Sequence, residues 1–218
     1  MTDGRPSDGG VGLDFMTLAR TRRSIRRYRP DPPSEDVLFQ VLEAARWAPS
    51  AVNSQPWHFV VVRDASRRQA LADKARMFRV FRWRHLATAP VVVAIVGDPR
   101  GNRWMTVDCA LAGANLMLAA HSLGLGTCWI GGFEQDALRP VLGVPPEREI
   151  VGLVTLGYPA ENPKPPPRIP LERLISWEVF DPSRAAGRLE RVKYSGLYSL
   201  RKRILAMVRP RRGPGPVA

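Results

Sequence analysis

Between Asp108 and Leu123 the chain reads DCALAGANLMLAAHSL, sixteen residues broken by polar side chains only at Asp108, Asn115, His121 and Ser122. Its Ala and Leu content favours helix. Such a helix is apolar on nearly every side, so it is expected as a central core helix rather than a surface one. It needs apolar partners. Pro90–Gly97 supplies one, because a continuous Val/Ile run without alternation marks a strand buried on both faces. Ile150–Gly157 repeats that pattern, Trp57–Arg63 reads as a β-branched and aromatic strand, and Thr127–Gly131 as a short one.

The remaining segments fill in around these. Phe15–Thr21 reads as a short helix. A second helix starts after Ser34, a good N-cap supported by Asp36, and runs to Ala48 with Val37, Leu38, Val41, Leu42 and Ala45 at helical spacing. Ser66–Arg84 reads as a basic helix, Asp136–Leu142 as another, and Leu171–Ile175 as a helical turn. Pro49–Pro56 is a loop, and six prolines exclude any element from Pro159–Pro170. Helices and strands mix without regular βαβ alternation, so the expected class is α+β, with one core helix against a sheet. A chain of 218 residues buries about 70% of its unfolded surface, enough for one core without metal or disulfide staples.

The net charge of +13 is unevenly spread. After Pro182 ten basic residues face one acid, Glu190, giving +9; the first 182 residues carry 23 basic against 19 acidic side chains. The expected divisions are therefore a disordered lead over residues 1–14, a folded domain over 15–182, and a basic tail over 183–218. In that tail Leu197, Leu200, Ile204, Met207 and Val208 would share one face of a helix, with Lys202, Arg203 and Arg209 opposite. Docking on the protein body, or on an anionic membrane surface, are the two expectations for it. Nucleic acid is not expected, since Tyr194 and Tyr198 make no stacking platform. The longest apolar run, Ala89–Gly97, is too short to span a membrane. The polar N-terminus does not read as a signal peptide. Cys109 and Cys128, each in an apolar stretch, read as buried free thiols and suggest a cytoplasmic location.

Several familiar motifs are excluded. Gly124-Leu125-Gly126 has Trp129 where a dinucleotide fingerprint needs its third glycine, and it follows a helix instead of a strand. His58, His85 and His121 have no ligand spacing. Four segments remain as candidates. Arg22, Arg23 and Arg26 surround Ser24, and guanidinium forks with a hydroxyl suit an oxyanion; a solvated basic turn is the alternative. Pro49, Ser50, Asn53 and Gln55 lie on a proline-bracketed loop, where amide donors and acceptors could pair with the edge of a flat heterocycle or merely cap a turn. Trp47 and Trp57 could wall a pocket beside it. Ile130-Gly131-Gly132 offers bare backbone to a ligand, or simply ends a strand. Lys164 and Arg168 stand in the proline-rich stretch, as anion contacts or plain surface charge.

In this order, and with the apolar helix between the second and third, these segments resemble the nitroreductase family of flavin enzymes over about Phe15–Trp177. The resemblance implies a nitroreductase-like fold, a central mixed β-sheet packed by helices, and an intertwined homodimer holding FMN at its interface. It implies that Arg22 and Ser24, with Arg168, hold the phosphate, with Arg23 among the cofactor-binding residues and Lys164 as a substitute for the lysine absent at Pro166. It further implies that Arg26 sits near the N1/O2 edge of the flavin, where positive charge stabilises the reduced anion. Pro49, Ser50 and Asn53 would come from the partner chain, the Gly131 and Gly132 amides would face N5, and Gln55 and Ile130 would belong to the cofactor-binding set. Two positions depart from the family pattern. Pro166 stands where many members have a lysine, and Gly131–Gly132 replaces an acid–glycine pair.

The implied activity is hydride transfer from NAD(P)H through flavin N5 to a small organic acceptor of nitroaromatic, quinone or enone type, by a ping-pong mechanism. No acid–base residue is required, and none is assigned. Other reactions on the same fold (flavin cleavage, dehalogenation, dehydrogenation) and a basic-tail binding protein for membrane or nucleic acid are the alternatives.

Overall fold

The computed structural model describes residues 14–77, 81–100 and 102–187. The expected N-terminal lead and the amphipathic segment Leu197–Val208 lie outside these residues. Strands are β1 (Trp57–Val62), β2 (Arg76–Met77), β3 (Phe81–Arg82), β4 (Val91–Gly97), β5 (Gly126–Ile130) and β6 (Glu149–Gly157). Helices are α1 (Phe15–Thr21), α2 (Glu35–Arg46), α3 (Ala65–Lys74), α4 (His85–Thr88), α5 (Met105–Ser122) and α6 (Gln135–Leu142).

The Val/Ile run became β4, an inner strand of a four-stranded sheet in the order β1-β4-β6-β5. Its alternation explains the unbroken apolar sequence. Val92, Ala94 and Val96 enter one core with Leu71, Leu86, Leu138 and Leu153, beneath α3, α4 and α6. Val91, Val93 and Ile95 enter a second core with Leu38, Val41, Cys109 and Leu116, beneath α2 and α5. Each fully buried side chain of this kind contributes roughly 1.5–3 kcal/mol. The α+β class holds, but helices cover both faces of the sheet instead of one core helix packing on one face.

All ladders of this sheet are antiparallel. Parallel pairing enters only through an isolated bridge, Ser24 to Thr127, beside β5. The expected mixed sheet is therefore mixed only at that margin.

Side-chain caps begin the helices where the sequence offers them. Asp14 accepts from the Met16 and Thr17 amides, Ser34 from Val37, and Asp64 from Arg67; each is worth about 1 kcal/mol. The basic helix expected over Ser66–Arg84 is corrected. It stops at Lys74 because Ala75 turns extended (ψ 95°) and is fully buried. The aromatic and β-branched residues that follow favour strand, and β2 pairs with β3 through Arg76–Arg82. α4 then leads into β4.

α5 is buried where expected along Met105, Cys109, Ala112, Leu116 and Ala120. Its outer stripe is not. Trp104, Val107 and Leu111 are 50%, 52% and 40% exposed. The helix thus keeps one apolar stripe about half open, with Arg103 stacked over the Trp104 ring.

Contacts divide the chain after Pro163. The C-terminal unit, from Lys164, contains a 3-10 turn at Leu171–Arg173 and a backbone bond from the Ala186 amide to the Arg173 carbonyl (3.2 Å). The division falls ahead of the boundary drawn at Pro182 from charge. No helix among the described residues is long and apolar enough to cross a membrane.

Candidate active site

Arg22 ends α1, its amide donating to the Leu18 carbonyl at 3.0 Å. The chain then runs extended as a strap beside β5. The Ile25 amide donates to the Thr127 carbonyl at 2.9 Å, and the Ile25 side chain is buried against Gly126. A Cβ on Gly126 would lie 2.7 Å from Ile25 Cγ1, so only glycine lets the strap lie this close. With Ile25 turned inward, alternation puts Ser24 and Arg26 together on the other side.

Tyr28 locks the strap from below. Its hydroxyl donates to the Ile25 carbonyl (2.5 Å) and meets Thr155 Oγ1 at 2.7 Å. Burial pushes the Tyr28 phenol well above its usual range, so it stays a neutral donor. Ser24 also hydrogen-bonds the Cys128 thiol, which burial pushes up. Cys109 is pushed up to about 12, again by burial. Both cysteines are buried free thiols, as expected.

The four strap candidates are not equivalent. Arg26 is exposed, with a 3.4 Å contact from Nη1 to the Ser24 carbonyl. Arg22 and Ser24 are half-buried. Arg23 folds back, its Nη1 donating to the Arg20 and Arg22 carbonyls at 2.7 and 2.8 Å, and so also caps the end of α1. A groove of about 320 Å³ runs along the strap, lined by Arg22, Arg23, Ile25, His121, Gly126 and Glu161 among others. His121 Nε2 meets Thr21 Oγ1 at 2.8 Å, and burial, then Arg22 and Arg23, lower its pKa.

The strap meets β5 at the Ser24–Thr127 bridge and then passes to Pro159 through Tyr28, while β5 itself runs on to a glycine turn after Ile130. There Ile130 is buried and Gly131 exposed. Trp83 fixes the turn, its Nε1 donating to the Gly132 carbonyl at 2.7 Å. His85 packs edge-on to Trp83, with centroids 6.0 Å apart. Burial first, and the Arg26 charge second, push His85 down to about 4. Trp83 thus ties His85, which feels the Arg26 charge, to the glycine turn.

The Pro49–Gln55 loop lies elsewhere. Asp108, buried in the first turn of α5, accepts from the Ala51 amide (3.2 Å), Ser54 Oγ (3.4 Å) and Asn102 Nδ2 (3.0 Å). Ser50 Oγ accepts from the Gln55 amide at 3.0 Å. Val52, Asn53 and Gln55 all have positive φ (48°, 55° and 45°). For β-branched Val52 this is a strained conformation, and such residues cost of order 1–3 kcal/mol each. Asn53 and Gln55 are thus exposed by a loop held against its own preference.

This loop feeds β1, three strand spacings or about 14 Å across the sheet from β5. Asp108 and His121 are thirteen residues apart on α5, about 20 Å along its axis. The single chain therefore keeps its loop candidates and its strap candidates apart. Trp57 is half-buried in the second core, and Trp47 is exposed, its Nε1 donating to Glu43 at 2.8 Å. Lys164 and Arg168 are exposed in the C-terminal unit.

The family profile described as "Nitroreductase family" matches residues 19–158. The chain belongs to the nitroreductase family. The match contains every candidate from Arg22 to Gly132, and Lys164 and Arg168 lie beyond it. A Thermus thermophilus protein named NADH dehydrogenase is 36% identical over 202 residues, covering 76% of this chain and 96% of the relative. A 5,6-dimethylbenzimidazole synthase of Rhodospirillum rubrum is 30% identical, covering 78% and 91%. Among solved structures, an FMN-dependent nitroreductase from Clostridium difficile superposes with a TM-score of 0.69 at 26% identity, covering 76% and 100%. The family fold is therefore shared over nearly the whole length of these relatives, while their names span more than one reaction.

Sequence reasoning missed Trp83, His85, Asp108 and Glu161 as parts of the site. Trp83 and His85 were hidden by the helical expectation for Ser66–Arg84. Asp108 carried one signal, as the acid opening an otherwise apolar helix.

Proposed function

We propose that this chain is an FMN-dependent NAD(P)H oxidoreductase, acting as a homodimer on a small organic acceptor. The observation that carries this reading is the strap beside β5. It gathers guanidinium groups and a serine hydroxyl along the start of the strand that ends in the bare backbone of Gly131–Gly132. That donor set suits a phosphate dianion and the edge of a flat, electron-accepting ring. Bound FMN would supply reversible hydride acceptance at N5.

The roles of the chain's own groups follow. Arg22, Arg23 and Ser24 bind the phosphate. Arg26 brings positive charge to the ring edge where negative charge develops on reduction. Ile130, Gly131 and Gly132 leave room for a stacked nicotinamide or acceptor, and Trp83 holds their backbone still. Pro49, Ser50, Asn53 and Gln55 serve the partner's site, since β1, which follows them, lies about 14 Å across the sheet from β5. The open stripe of Trp104, Val107 and Leu111 supplies an apolar face for that pairing. The buried free thiols favour a reducing, cytoplasmic setting.

A second reading, the same fold with a different flavin reaction, is favoured by the 30% identity to the dimethylbenzimidazole synthase. The deciding experiment loads the purified protein with FMN, desalts it and titrates it anaerobically with NADPH and NADH. Flavin absorbance that bleaches supports the reductase, and Arg26→Ala should then bind FMN more weakly or be reduced more slowly. Bands that persist favour the second reading, and a colourless protein overturns both.

A further inference from the structure

Glu161 follows β6 inside the proline-rich stretch. Its Oε1 accepts from two successive backbone amides of the strap, Arg26 at 2.5 Å and Arg27 at 3.1 Å. Its Oε2 stands 3.9 Å from Arg27 Nε, and the side chain is only 24% exposed. The adjoining backbone closes the arrangement, with the Ala160 amide donating to the Arg27 carbonyl and the Arg29 amide to the Tyr158 carbonyl, both at 2.9 Å. Among the described residues the other anchors of the strap, Tyr28 and Thr127, act one residue earlier, at Ile25.

An ionised carboxylate accepting two amide hydrogens is a strong anchor. It is also a charge. Glu161 lines the same groove as Arg22 and Arg23 and is the acid among its described lining residues. Arg26 and Glu161 act on buried His85 with opposite signs, so both fields reach the interior beside the Gly131–Gly132 turn. One side chain therefore fixes the backbone of Arg26 and brings a carboxylate to the groove lined by Arg22 and Arg23.

We propose that Glu161 is a positioning residue that clamps the Arg26 backbone and offsets part of the arginine charge at the site, thereby lowering the tendency of the bound cofactor to be reduced. The field part rests on the FMN reading above; the clamp part does not. A site with Arg26 alone would favour the reduced anion more strongly. Glu161 holds that preference back, which keeps the return of electrons to an acceptor favourable.

The test uses full-length wild type, Glu161→Gln and Glu161→Ala. Hydrogen exchange on the cofactor-free proteins reads the clamp. The Arg26 and Arg27 amides should exchange at least tenfold faster in Glu161→Ala than in wild type, and equal rates overturn the clamp. Dye-equilibrated reduction of the FMN-loaded proteins reads the field. Glu161→Gln keeps an acceptor oxygen but loses the charge. Its reduced-to-oxidised ratio at a fixed potential should rise about tenfold, about 30 mV for a two-electron couple. An unchanged or lower potential in Glu161→Gln overturns the field part, because a purely structural role predicts no such shift. A wild type that takes up no FMN overturns the oxidoreductase reading and the field part together, while the exchange result still decides the clamp.

Discussion

His85 shows what a single buried side chain can impose. It is 8% exposed, its Nε2 has no hydrogen-bond partner among the described residues, and burial with the nearby Arg26 charge holds its pKa near 4. In the unfolded chain it titrates near 6.5. Above that pH both states are neutral and nothing is lost. As pH falls through 6.5 toward 4 the unfolded state gains a proton that the folded state refuses, so stability drops, by roughly 3 kcal/mol at the limit. Urea unfolding of wild type between pH 7 and pH 4 should show that loss, and His85→Phe should flatten the slope by His85's share. An equally steep slope in the variant would refute the assignment. None of this was legible in the sequence, where His85 closed a basic stretch read as helix. A histidine reveals its environment only when the chain that buries it is in place.

At the level of elements, the strap and β5 form the unit that makes the site. The strap's arginine–serine cluster stood out in the sequence, but taken alone it read equally as a solvated basic turn, and only its order with the other three segments marked it as a candidate. The strap's pairing was not legible, because the Ser24–Thr127 bridge joins residues a hundred positions apart, and no local pattern reports such a contact. Gly126 makes the contact possible. Gly126→Ala should therefore overpack against Ile25, cost about 1–3 kcal/mol, and weaken FMN binding at least tenfold by displacing Ser24 and Arg26. Gly143→Asn, at a left-handed helix end with open space around it, should leave FMN binding unchanged. Flavin fluorescence quenching measures both. If Gly126→Ala binds FMN like wild type, the close packing of the strap does not matter to the site.

For the whole molecule, the sequence announced a helix with no polar face, and the structure covers it with a sheet and α2 but leaves one stripe open. The apolar pattern was legible; what would cover its last side was not, since a monomer's sequence does not distinguish its own core from a shared one. The separation of loop and strap gives that stripe a purpose under the dimer reading. Val107→Glu places a charge in the middle of the stripe and should yield a monomer by light scattering that no longer retains FMN on desalting. A dimeric, yellow Val107→Glu would move the interface elsewhere.

The distance between the loop held by Asp108 and the strap held by Tyr28 also has a genetic consequence. If each reaction centre draws on two chains, damage to the loop and damage to the strap are different kinds of defect. Two alleles, one broken in each, are both dead when expressed alone. Expressed together they form mixed pairs in which one centre inherits both faults and the other inherits neither. The intact centre exists in no parent, and inheritance at this locus would then follow the pair instead of the chain.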